Sequence, residues 1–149
     1  MFFCAGAIYV KAHKENISEL NGIGKQMPVT MAAFTLVAIG LMGVPPVNGF
    51  ISKWYLGQGA LEANRGVYLG LLLLSGLLNA GYFFPIIRRA FFAPSDKFSK
   101  FNEASLLMVA PLVFTASLSL LLGIAPDFIF HLFELARNVA VSVFARGAG

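Results

Sequence analysis

Gly43-Val44-Pro45-Pro46-Val47-Asn48-Gly49-Phe50-Ile51-Ser52-Lys53 sets two adjacent prolines inside an apolar run and follows them with a lysine. Lys53 is the only charge between Gln26 and Leu61. Neither proline nitrogen can donate a backbone hydrogen bond, so the run Gly43 to Gly49, with Pro45, Pro46 and Gly49 as its breakers, interrupts a helix. A lysine at membrane depth costs roughly 2.5 to 3.5 kcal/mol on insertion scales unless it faces protein, water or a counter-charge. Irregular backbone at that depth survives only where protein or a wet cavity satisfies it. A broken helix with a buried lysine reads as an ion pathway, and the competing reading is a snorkelling lysine whose ammonium reaches the headgroups.

That the surroundings are a membrane follows from composition and spacing. Apolar residues make up 58% of the 149-residue chain and charged residues only 12%, about half the charged fraction of a soluble domain. Three charge-free runs stand out: Gln26 to Ser52 (27 residues), Gly66 to Ile87 (22) and Ala104 to Pro126 (23). Each exceeds the roughly 20 residues a spanning helix needs. The net charge of +4 comes from basic residues clustered in the loops between these runs, a topology signal rather than a nucleic-acid surface.

The fold class expected is an all-α, polytopic transmembrane bundle containing a discontinuous helix. The chain 1–149 reads as one membrane domain: a partial helix over 1–10, the broken helix over 28–62, helices over 66–92 and 104–124, and a terminal amphipathic helix over 127–145. Met1 to Val10 would reach only about 15 Å as a helix, half the hydrocarbon thickness, so it reads as the end of a longer helix and the chain as the C-terminal part of a longer subunit. Pro28 suits a first helical turn, and Lys53 is expected in the first turn of the piece running from Phe50 to Leu61. The positive end of that helix disfavours a cation while the negative end of the preceding piece favours one. Burial and the unfavourable end together would favour a neutral amine, a group able to load and release protons.

Elsewhere the signals are weaker. Gly70, Gly76, Ala80 and Gly81 would let helices approach closely, and Asn79 reads either as a bond across a helix interface or as a channel-lining residue. Pro85 is expected to kink the end of its helix. Asp127, His131, Glu134, Asn138 and Ser142 form a polar stripe at helical spacing. His131 and Glu134 permit a proton relay or a metal pair, but two ligands make no metal site. The lone Cys4 reads as a packing residue. If the broken helix crosses once, Lys11, Lys14, Lys25, Arg88, Arg89, Lys97 and Lys100 share one side, which the positive-inside rule places in the cytoplasm.

Met27-Pro28-Val29-Thr30, together with the Pro-Pro break and the following Gly49-Phe50-Ile51-Ser52-Lys53-Trp54-Tyr55-Leu56, resembles the antiporter-like membrane subunits shared by respiratory complex I, Mrp-type sodium/proton antiporters and membrane-bound hydrogenases. Asn79-Ala80-Gly81-Tyr82-Phe83, with Pro85 and the arginine pair, is similar to the Mrp-like branch. The resemblance implies a proton-translocating subunit, with sodium as a further candidate ion, in the inner or plasma membrane of a prokaryotic cell. It also implies other membrane subunits as partners and a proton-transfer role for Lys53. No cofactor, metal or redox motif is visible, so redox chemistry would belong to other subunits. The alternative is a non-conducting module that packs against partner subunits.

Overall fold

A computed structural model of the chain describes residues 1–14, 16–94, 101–125 and 132–147, and every regular element among them is helical. The helices are α1 (Phe2–Ala12), the short α2 (Ile23–Gln26), α3 (Pro28–Met42), α4 (Asn48–Glu62), α5 (Gly66–Phe92), α6 (Leu106–Ile124) and α7 (Leu132–Gly147). A 3₁₀ turn, Ile17–Glu19, precedes α2. Asp127 and His131 of the expected polar stripe, and Lys97 and Lys100 of the expected basic side, lie outside the described residues.

The 27-residue α5 is the ruler of the bundle, about 40 Å long. Its contacts run in strict order. The turn at Gly24 lies under Ala90 and Phe91, where an added Cβ would come within 2.9 Å. Phe34 of α3 meets Phe83 edge-on with ring centroids 6.2 Å apart. Leu41 then lies beside Asn79, Met42 beside Gly76, and Gly57 of α4 beside Leu69. Residue numbers rise along α3 and α4 as they fall along α5, so α3 and α4 follow one another along one flank of α5 and run antiparallel to it. α6 runs parallel to α3: Asn102 donates to the Gln26 carbonyl at one end and Ser119 meets Asn48 at the other.

Packing explains these neighbours. Cys4, Ile23, Met27, Met31, Ala38 and Ala90 are fully buried, and small residues such as Ala33, Ala38, Ala90 and Ala116 in the core let helix axes approach. Cys4 sits among them as a small apolar group. The outward faces are equally apolar: only 11% of the most apolar window of α5 or α6 is buried within the chain. A core helix of a soluble protein would be mostly buried, so these faces meet lipid or other membrane helices. Pro85, expected from the sequence to kink the end of its helix, lies inside α5, which continues past it to Phe92.

The start of α3 carries a feature that local sequence hides. Its first-turn N–H groups have no partner within the helix, and Met27 ahead of it makes no side-chain cap. Glu103, just before α6, supplies one: its carboxylate accepts from the Val29 N–H at 2.9 Å, the Thr30 hydroxyl at 2.6 Å and its neighbour's Ala104 N–H at 3.3 Å. The negative charge also complements the positive end of α3. Thr30 is the one buried polar side chain in the described core. Glu103→Ala leaves these donors bare and is expected to lower stability by about 1–2 kcal/mol, whereas Glu103→Gln retains part of it; unfolding midpoints in mild detergent measure the difference.

Candidate functional site

An α-helical carbonyl normally accepts from the N–H four residues on. For Leu41 and Met42 those residues are Pro45 and Pro46, which have no N–H. Gly43, at φ 82°, closes α3 in the left-handed conformation. The Gly43 N–H donates to Gly40 and the Val44 N–H to Ile39, the pattern of a Schellman cap. The cap serves Ile39 and Gly40 and leaves the last two carbonyls of α3 over.

Lys53 fills that vacancy. Its Nζ donates to the Leu41 carbonyl at 2.9 Å and to the Met42 carbonyl at 3.1 Å. α4 begins at Asn48, so Lys53 stands in the second turn rather than the expected first. Helical side chains lean toward their own N-terminus, which carries this ammonium back over the break to α3. Of the two opposed helix ends weighed from the sequence, the side chain goes to the negative one, where the dipole and two carbonyls favour a cation. α3, α5 and α6 contain no Asp or Glu within their helical spans. Backbone oxygen, not a carboxylate of those helices, therefore meets the charge.

Asn79 comes to the same place from α5, its Nδ2 donating to the Leu41 carbonyl at 3.1 Å. Three glycines admit this crowding. A Cβ on Gly76 would stand 2.8 Å from the Met42 carbonyl oxygen, a Cβ on Gly49 would strike the Gly40 carbonyl, and one on Gly123 would strike the Pro46 carbonyl. Gly70 and Gly81, grouped with Gly76 by the sequence, have nothing within 4 Å of such a Cβ, so of these three glycines Gly76 mediates the close approach. On the far side of the break the Ser119 hydroxyl and Asn48 Oδ1 bond at 2.9 Å. Sequence reasoning singled out Pro45, Pro46, Gly49, Lys53 and Asn79, missed Gly123, and read Ser119 as a hydroxyl serving freed carbonyls of its own helix; both touch the break through the packing of α6.

Beside Lys53, α4 and α5 leave a groove of about 560 Å³ walled by Trp54, Leu69, Leu73 and Leu77. Lys53 is half-buried and lines both the break and this groove. The arrangement holds an ammonium against two backbone carbonyls at the edge of an apolar groove.

These features define a polytopic helical membrane subunit with a lysine bound in a helix break. Residues 1–79, more than half of the chain, match the transmembrane family of NADH:quinone oxidoreductase and Mrp antiporter subunits, and the chain belongs to that family. It is 44% identical over 91 residues to NADH-quinone oxidoreductase subunit N of Desulforudis audaxviator, covering 61% of this chain and 18% of that protein. It is 28% identical over 150 residues to F(420)H(2) dehydrogenase subunit M of Methanosarcina mazei, covering 100% of this chain and 30% of that protein. The fold is shared with a chain of the Mrp complex from Dietzia sp., at a TM-score of 0.76 and 19% identity over 88% of this chain and 33% of that one. The chain thus spans a third or less of each protein it matches.

Backbone contact at the break sets a steric limit. Gly49→Ala is expected to cost roughly 1–3 kcal/mol through overpacking, read as a lowered unfolding midpoint of the detergent-solubilised protein, while Gly70→Ala leaves that midpoint unchanged.

Proposed function

We propose that this chain is a proton-translocating element of an NADH:quinone oxidoreductase-like or Mrp-type complex, with Lys53 as the side chain that takes up and releases the proton. The observation that carries this reading is the Lys53 amine bonded to the two carbonyls that the prolines leave bare. Carbonyls only accept hydrogen bonds, so they hold the ammonium better than the neutral amine. Gain or loss of one proton therefore changes how well the break is satisfied, and ties the charge on Lys53 to the local conformation. An amine exchanges protons, which makes the proton the ion this site handles directly, with sodium coupling left to other parts of a complex. The apolar outward faces of α5 and α6 support other membrane subunits as partners.

The same two hydrogen bonds favour a second reading, in which Lys53 is a structural plug and the chain a non-conducting module. Arginine separates the two. Lys53→Arg keeps a cationic donor for the carbonyls but cannot deprotonate in a protein. In membranes containing the complex that carries this chain, the proton-transfer reading expects Lys53→Arg and Lys53→Met to lower proton flux per assembled complex by roughly 100-fold or more. The structural reading expects Lys53→Arg to assemble and conduct normally, and normal flux in that variant overturns the proposal.

A further inference from the structure

We infer that Asn79 is a positioning residue that keeps the Leu41 carbonyl satisfied when the Lys53 amine leaves it. The inference rests on the proton-transfer reading of Lys53. Two side-chain donors meet at the Leu41 oxygen, one from Lys53 and one from Asn79. For a carbonyl whose backbone donor has been replaced by Pro45, one would suffice. The two donors differ in kind. Lys53 reaches back along a flexible four-carbon stem and borders a groove of about 560 Å³, whereas Asn79 is a short side chain near the middle of the 27-residue α5. One donor can move away and the other is held in place.

Gly76, one turn before Asn79 on the same face, abuts the Met42 carbonyl, and a Cβ there would also lie 3.6 Å from Lys53 Nζ. This face of α5 therefore gives the Leu41 carbonyl a donor that does not depend on the lysine, while the Met42 carbonyl is packed against Gly76 and takes its donor from Lys53. Without Asn79, every excursion of Lys53 would strip the Leu41 carbonyl at membrane depth, where an unsatisfied carbonyl is costly. The ammonium would then be retained at the break. With Asn79, one hydrogen bond is already in place when the lysine leaves, and the excursion becomes easier.

The groups near Lys53 are few: α3 and α6 carry no titratable side chain in their helical spans, α5 carries Tyr68 and Tyr82 ahead of its terminal Arg88 and Arg89, and α4 adds Tyr55 and Glu62. Removing the Asn79 donor makes Leu41 depend on Lys53 alone, which favours the bound ammonium. The lysine then leaves the break less readily. A carboxylate at position 79 favours the ammonium still more, by adding an opposite charge.

The test measures initial proton-translocation rate against pH in membranes containing the intact complex, normalised to assembled complex, for wild type, Asn79→Leu, Asn79→Asp and Asn79→Gln, with Lys53→Arg as reference. Asn79→Leu is expected to lower the rate at neutral pH about tenfold and to move the profile alkaline by about one unit. Asn79→Asp moves it further, and Asn79→Gln, which keeps an amide donor, returns it toward wild type. A packing role alone would reduce the amount of assembled complex without moving the profile. If Asn79→Leu fails to assemble, the Asp and Gln variants, both polar, carry the comparison. Superimposable profiles for these two overturn the inference. If Lys53→Arg conducts normally, the proton-transfer reading itself falls; if Lys53→Arg is inactive while the Asn79 profiles stay in place, only the role of Asn79 falls.

Discussion

Pro45 and Pro46 withdraw the two N–H groups that would have closed the last turn of α3, and the site is organised around replacing them. The Leu41 and Met42 carbonyls have no backbone donor of their own, and side chains supply what the backbone cannot. Lys53 supplies donors from the second turn of α4 and Asn79 adds one from α5. For those groups to reach the break, backbones must nearly touch, which is why glycine stands at positions 49, 76 and 123. The chemistry proposed for Lys53 thus grows out of a hydrogen-bonding deficit written into the backbone.

α3 has the same logic at its other end. Its free N–H groups are capped by Glu103 from the start of α6, as its free carbonyls are capped by Lys53 from α4. A 15-residue helix without a charge of its own thereby carries a negative group at its positive end and a positive group at its negative end. Both charges arrive through other helices, so docking of α4 and α6 and the electrostatic balance of α3 depend on each other.

Much of this was legible in one dimension. The charge-free runs announced α3, α5 and α6, the paired prolines the interruption, and the lone lysine beside them is the side chain that bonds to the carbonyls there. The resemblance carried by Met27 to Leu56 led to the family that residues 1–79 match. Other points were not legible. Lys53 sits one turn deeper in α4 than its distance from the break suggested, because the helix resumes at Asn48. Of the three glycines the sequence grouped along α5, Gly76 faces a neighbouring backbone while Gly70 and Gly81 do not, since helical phase and the position of α3 together decide which face is covered.

The sequence by itself determined that this is a membrane chain, where its helices lie, and that Pro45, Pro46 and Lys53 mark its unusual point. Those conclusions rest on hydropathy, length and the covalent structure of proline, all local properties. Only the tertiary structure decided that the lysine serves the end of α3 rather than standing off the start of α4, that Asn79 shares its acceptor, and that Glu103 closes α3 from 74 residues away in sequence. The physical reason is that a missing donor can be counted from the chain, whereas the group that replaces it is chosen by which helices pack together.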